Sequence, residues 1–283
     1  MRGWVICFPA DNALATLTLS RLRGEGSGVI FMSQPVTAAL LVIGDEILSG
    51  RTKDKNIGIV ADFLGRRGID LRVVHVVPDE IAEIVAALNA LRHRYSYVFS
   101  TGGIGPTHDD VTADAVAAAF GVPLVEDKRA IALMLGRIKS EHLNEARRRM
   151  ARIPQGAELI ENAVSAAPGF WIGNVIVMAG IPAIVEAMLA AVAPKLQAGQ
   201  RMISKTIEVG DMPEGAFASE LAAEAARHPQ VSIGSYPSYK DGKFANQIVV
   251  RGKDATEVEA AVTAIERLIA RLRAEGKDRY TIT

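Results

Sequence analysis

The run Ser100-Thr101-Gly102-Gly103-Ile104-Gly105-Pro106 places glycines at 102, 103 and 105, behind an apolar segment that reads as a strand. Removing three side chains lets several backbone N–H groups approach one anion, and a helix opening near Thr112 adds its positive end. The chemistry such a loop offers is the binding of a phosphate-bearing ligand. No Gly-Lys-Ser/Thr follows, so it is not a Walker loop, and His108 stands where a dinucleotide fingerprint needs its third glycine. Alone, the run reads equally well as a tight turn that needs glycine for its shape. Its acidic company shifts that balance. Asp109 and Asp110 lie directly behind it, Asp45 and Glu46 follow an earlier strand, and Asp79 follows another. Singly, Asp79 suits a helix N-cap and Asp45-Glu46 a solvated loop. Together they gather carboxylates beside a phosphate site, a repulsive arrangement unless a divalent cation lies between. Mg²⁺, or another oxygen-preferring cation, resolves the conflict when one or two carboxylates and the ligand's phosphates share it.

The elements that must position these groups follow a regular alternation. Ala38 to Ile43 is a continuous apolar run ended by Gly44, as expected of a parallel strand buried on both faces. A helix is expected from Asn56 to about Arg67, then a strand from Leu71 to Val77. A second helix carries Ile81, Ile84, Val85 and Leu88, with Asp79 as its N-cap. Tyr97 to Thr101 forms the next strand and Thr112 to Phe120 the next helix. Glu158–Ile160 and Asn174–Met178 add two strands, and a helix starts near Pro182. This order implies an α/β fold with a doubly wound, mainly parallel sheet. After about Gly199 the character changes to strand Met202–Val209, helix Pro213–His228, strands Val231–Tyr236 and Phe244–Arg251 joined through Lys240-Asp241-Gly242-Lys243, and helix Ala255–Glu275. That is a smaller βαββα domain of α+β type. The expected domains are 37–199 and 200–283. Residues 1–36 are read as a disordered extension with Met32 as the working start, because regular patterning begins at Thr37.

Bulk properties exclude other classes. The 283 residues suffice for a real core, and 49% hydrophobic with 23% charged residues is ordinary for a folded protein. Lys+Arg and Asp+Glu both number 32, so no net basic field draws nucleic acid, and no nucleic-acid partner is expected. The cluster Arg147-Arg148-Arg149 with Arg152 reads as a solvated helix face, since no aromatic residues interleave it. A single cysteine, Cys7, excludes an internal disulfide and a cysteine metal cluster, so a reducing compartment, the cytoplasm, is expected. No apolar run reaches the ~20 residues of a membrane span, and no membrane partner is expected.

Three stretches carry a family resemblance. Gly44-Asp45-Glu46-Ile47-Leu48-Ser49-Gly50, with Asp54 and Asn56 behind it, resembles the opening signature of the competence/damage-inducible protein A family. Thr101 through Thr112 resembles its second signature, and Asn162 with Ala167-Pro168-Gly169-Phe170 a third. The loop is shared by the wider molybdopterin-binding fold, including molybdopterin adenylyltransferases and the N-terminal part of eukaryotic FAD synthases. Glu208-Val209-Gly210, Pro213-Glu214-Gly215 and Ile233-Gly234-Ser235-Tyr236-Pro237 resemble the segment that follows this fold in competence-type proteins and FAD synthases. Tyr236 reads as a packing residue before a stacking one. The turn Ala179-Gly180-Ile181-Pro182 departs from the family's usual form, with Glu186 and Met188 displaced, so no ligand role is carried to Glu186. The amidase activity of long members is not carried over either.

The resemblance implies catalytic roles for Asp79 and Asp110. It implies ligand binding by Thr101, Gly102, Gly103, Gly105, Thr107, His108 and Thr112, beside a metal held by Asp45, Glu46, Asp109 and Asp110. The implied function is metal-dependent hydrolysis of the pyrophosphate in an ADP-ribose- or FAD-like nucleotide, with a pterin or adenine nucleotide as ligand and a homo-oligomer expected by analogy. Two alternatives stay open: a molybdopterin adenylyltransferase-type role in molybdenum cofactor biosynthesis, with molybdopterin as ligand, and a binding module without turnover.

Overall fold

The computed structural model describes residues 16–17, 30–31, 35–240 and 243–276, with backbone alone for 16–17, 30–31, 239–240 and 243–244. The expectation for residues 1–36 therefore falls largely outside the described residues. Within them, Val36 is already buried in the core, one residue ahead of the expected start. The chain forms two compact units, Met1–Gly199 and Gln200–Thr283.

The first unit is built on β1 (Thr37–Ile43), β2 (Asp70–Val77), β3 (Tyr97–Thr101), β6 (Glu158–Ile160), β7 (Gly169–Ile172) and β8 (Val175–Met178). They lie side by side in the order β2-β1-β3-β8-β7-β6. The first four run parallel, while β7 and β6 are antiparallel additions at one edge. The α/β, mainly parallel expectation holds. The two-residue period of β1 divides its apolar run between both faces. Ala39, Leu41 and Ile43 pack with α3 (Ile81–Arg92) and α4 (Thr112–Phe120). Ala38, Leu40 and Val42 pack with α2 (Asn56–Arg66) and α7 (Pro182–Val192). Burying each large aliphatic side chain in this way contributes about 1.5–3 kcal/mol, which is why so unbroken an apolar run can be a strand only at the sheet centre.

Between α4 and β6 the chain makes an excursion that periodicity did not reveal: β4 (Leu124–Glu126), α5 (Lys128–Leu135), α6 (Glu145–Arg149) and β5 (Arg152–Pro154), with β4 and β5 paired antiparallel. Its elements are short, and local caps define them. Asp127 accepts from Arg129 N at 2.7 Å and Asn144 from Arg147 N at 3.0 Å. The arginine cluster stays on a partly solvated face, with no residue of α6 buried, yet its members find partners. Arg148 forks onto Glu126 at 2.6 and 2.9 Å, Arg152 onto Asp114 at 2.7 and 3.1 Å, and Arg147 donates to His142 O at 2.7 Å. Bidentate pairing with carboxylates from neighbouring elements ties the excursion down.

In the second unit β9 (Ile203–Gly210), β10 (Ser232–Tyr236) and β11 (Asn246–Gly252) form an antiparallel sheet of order β9-β11-β10. Residues 241–242 of the expected turn lie outside the described residues, while Tyr239–Lys240 pairs with Lys243–Phe244. Alternate residues Ile207, Val209, Ile248 and Val250 share one core with Phe217 and Leu221 of α8 (Glu214–Arg227) and with Val258, Ile265 and Ile269 of α9 (Ala255–Ala274). Both helices thus cover one face. Asp254 caps the long α9 by accepting from Thr256 N at 2.7 Å. Phe217 is at the centre of this core, and F217A is expected to destabilise the second unit by about 3–5 kcal/mol, read as a lowered urea midpoint of the full chain.

At the carboxyl edge of the first sheet, Gly102 has φ +99°, and a Cβ there would stand 2.1 Å from Ile43 O. No side chain fits where β1 and β3 end together. G102A is expected to cost roughly 2–6 kcal/mol, from left-handed strain plus displacement of β1, in denaturant unfolding.

Candidate functional site

The connection from β1 leads to β2 on one side, and that from β2 returns across to β3 on the other. The strand order reverses between β1 and β3, and ligands in open α/β sheets bind in the crevice outside such a point. The loops that follow these strands build the site.

The glycine loop is held from behind. Gly102 N donates to Met178 O at 3.2 Å, which hangs the loop on the neighbouring β8. Thr112, wholly buried (0% exposed), donates its hydroxyl to Gly102 O at 3.0 Å and its N–H to Gly103 O at 3.0 Å. A Cβ on Gly103, at φ +65°, would collide with that hydroxyl at 2.1 Å. Asp110 staples the loop's far half: Oδ1 accepts from Gly105 N at 2.7 Å, and Oδ2 accepts from Thr107 N at 2.8 Å and Thr107 Oγ1 at 2.6 Å. Thr112, Asp110 and Thr107 are therefore occupied in shaping the loop. The N–H groups of Gly103 and Ile104 have no partner among the described residues, which leaves them as the donors an incoming anion can use.

The carboxylates do converge. Asp79 is half-buried at the end of β2, and its Oδ2 accepts from Asp45 N at 2.9 Å. It is not the cap of α3, whose N-terminus starts at Glu80 without a side-chain cap; its carboxylate turns across to the loop after β1 instead. Oδ1 faces the glycine loop, 3.5 Å from where a Cβ of Gly103 would stand. Burial pushes the Asp79 carboxyl above its ordinary range against the lowering effect of the Asp45 N–H, and the charges of Asp45, Glu46 and Asp109 push it further. Asp109 is exposed, and hydrogen bonding from the Thr107 side chain and its own N–H, helped by His108 and Arg149, holds its carboxyl below the usual range. His108 is 98% exposed at the rim, its Nδ1 4.0 Å from Asp109.

Asp45, Glu46, Asp79 and Asp109 thus form one negative patch, while Asp110 of the expected metal set turns inward. Among the described residues no three His, Cys, Asp or Glu side chains are grouped to hold a metal ion by themselves. What the donors fit is a hard cation taking one or two carboxylates and completing its shell with ligand phosphates.

A cavity of about 260 Å³ opens beside the patch, with Ile43, Glu46, Asp54, Asn56, Thr101 and Gly180 in its walls. Asn56, 5% exposed, donates Nδ2 to Gly180 O at 2.7 Å, while its Oδ1 has no hydrogen-bond partner. Thr101, 1% exposed, likewise leaves Oγ1 unpartnered, as does Ser100 its Oγ. Buried polar atoms left unpaired carry a desolvation cost, and those of Asn56 and Thr101 belong to residues that line this cavity. Asn56 and Gly180 stand outside the set expected from sequence. The Asp54-x-Asn56 spacing was their visible signal, with Asp54 Oδ1 accepting from Ile57 N at 2.7 Å to start α2. Glu186 is exposed on α7, and Tyr236 is exposed at the end of β10 in the second unit.

Residues 39–198 match the family described as "Probable molybdopterin binding domain", and residues 201–275 match "FAD synthase, middle domain". A protein of Archaeoglobus fulgidus is 32% identical over 232 residues, 81% of this chain and 96% of that protein. A probable FAD synthase of Caenorhabditis elegans is 31% identical over 265 residues, and this chain spans 51% of its length. Among solved structures, the crystal structure of the protein CinA, of unknown function, from Thermoplasma acidophilum has a TM-score of 0.54 at 35% identity, covering 56% of this chain and 96% of that one. With the glycine loop at the switch point and a family match over that whole unit, the chain belongs to the molybdopterin-binding domain family, in a CinA-like form whose second unit is the one found in the middle of FAD synthases.

Proposed function

We propose that this protein binds the phosphates of a pterin or adenine nucleotide at the glycine loop and hydrolyses the pyrophosphate of an ADP-ribose- or FAD-like nucleotide. The observation that carries this reading is the group of Asp45, Glu46, Asp79 and Asp109 held against one another beside the free N–H groups of Gly103 and Ile104. Such repulsion is retained in a fold when something positive offsets it during function. A divalent cation held by Asp45 or Asp109 and by the phosphates would supply charge neutralisation and polarise a phosphoryl oxygen.

Asp79 Oδ1 faces the loop while Oδ2 is fixed by the Asp45 N–H, so Oδ1 is the atom that takes the proton from an attacking water. The water oxygen bonds to the phosphorus distal to adenosine, the bridging P–O bond breaks, AMP leaves with the bridging oxygen, and the new hydroxyl stays on ribose 5-phosphate or FMN. The Gly103 and Ile104 N–H groups stabilise the charge that develops on the equatorial oxygens. Similarity to probable FAD synthases supports an adenine-nucleotide ligand, and the match to the molybdopterin-binding family supports a pterin as the second candidate. In that second case the same loop adenylylates molybdopterin with ATP and releases pyrophosphate.

Incubating the full chain with ADP-ribose or FAD, with and without Mg²⁺ or Mn²⁺, tests the reading. The expected result is cation-dependent AMP release, reduced about 100-fold or more in D79N. Pyrophosphate release that requires both ATP and molybdopterin supports the second reading, and tight binding with no product over hours rejects both.

A stability consequence follows from the same cluster. The Asp79 carboxyl is raised in the folded state, so the folded protein binds more protons than the unfolded chain just above the ordinary carboxylate range, and stability falls as pH rises through the folded value. D79N is therefore expected to melt higher than the wild type at pH 7 in metal-free buffer, with the difference shrinking toward acid pH; equal melting temperatures at both pH values count against it.

A further inference from the structure

Two members of the arginine cluster pair with no carboxylate among the described residues: Arg147, which donates to His142 O within its own segment, and Arg149. Arg148 and Arg152 fork onto Glu126 and Asp114, but Arg149 has no acidic group within ion-pair distance among the described residues. Its guanidinium instead reaches out of α6 to the turn behind the glycine loop. Nη2 donates to His108 O at 3.4 Å and to Asp110 O at 3.3 Å. Nε is buried with no hydrogen-bond partner. The guanidinium thus makes two long contacts to carbonyls and leaves its buried Nε unpartnered. The two carbonyls flank Asp109, the acidic residue of the patch that is 63% exposed and rides on the turn between them.

We infer that Arg149 is a positioning residue for the site: by bridging the His108 and Asp110 carbonyls it holds the turn that carries Asp109 and backs the Asp110 staple of Gly105 and Thr107. The inference rests on the phosphate-site reading for its functional consequence and on the hydrogen bonds alone for its structural one. It also gives the excursion between α4 and β6 a task. Arg148 ties α6 to β4 within that segment, Arg152 ties the segment to α4, and Arg149 delivers one Nη2 group to the loop. The two N–H bonds of that nitrogen diverge in the fixed guanidinium plane, whereas a lysine ammonium rotates freely on a shorter reach.

The test compares R149M and R149K with wild type in the full chain, with R148M as a control that breaks an ion pair on the same helix without touching the loop. Hydrogen–deuterium exchange of residues 105–112 is expected to quicken about tenfold in R149M, while segments from β1 and β3 exchange as in wild type and R148M leaves the loop unchanged. In AMP release from ADP-ribose, R149M is expected to lose about tenfold in kcat with KM changed less than about threefold, since a misplaced loop is felt most in the transition state. R149K recovers part of this loss. Wild-type loop exchange in R149M overturns the inference, as does equal quickening in R148M or full recovery of kcat in R149K, which would make charge rather than bridging the relevant property. If the wild type releases no AMP, the hydrolysis reading fails on its own and the exchange comparison still decides the role of Arg149.

Discussion

The site depends on the place where β1 and β3 end against each other, with Ile43 O where a Cβ of residue 102 would stand. Two buried strands can come this close at their carboxyl ends only if one of them finishes on a residue without a side chain. Gly102 then turns through a left-handed conformation, and the chain departs over the sheet edge rather than continuing it. Everything that follows is arranged around that exit. Thr112 closes the loop from inside, β8 takes up the Gly102 N–H, and α4 begins where its first turn can hold the loop. The anion donors are what remains after these internal requirements have been met.

That order of satisfaction explains how much was legible in the residues. The central strands were, because a run such as Ala38 to Ile43 has only one environment that tolerates it. The acidic convergence was also legible, because position after a strand places a residue at a known edge whatever its side chain does. What could not be read was which polar group faces in. Thr112 and Asp110 look like ligand-binding and metal-binding residues by type, yet loop closure takes their donors and acceptors first. The excursion from β4 to β5 was opaque for a different reason. Its strands are three residues each, too short for a period to register, and its caps, Asp127 and Asn144, are recognisable only once the elements are known. The arginines of α6 stay at the surface, as a run of like charges normally does, but their partners on other segments were not visible in the sequence.

Asp79 carries the tension between folding and function. Its surroundings raise the cost of its charge, while one N–H from the loop after β1 lowers it. A neutral residue would rest more comfortably there. Half-burial raises the group's pKa while leaving one oxygen turned toward the loop. The cavity beside it adds a second kind of tension, the unpaired hydroxyl of Thr101 and amide oxygen of Asn56 in its walls. Electrostatic repulsion and unsatisfied polarity lie within one edge of a sheet whose interior is otherwise apolar.

The Asp110 staple bears on how the protein meets its ligand. Both oxygens of that carboxylate are already engaged by the loop's own N–H and hydroxyl groups, so the loop has its shape before anything arrives. Ordering entropy that a floppy glycine segment would surrender on association is surrendered instead when the chain folds. Encounter then resembles docking onto a rigid rim rather than wrapping by a mobile strap, and selectivity is set by the spacing of fixed donors more than by adaptation.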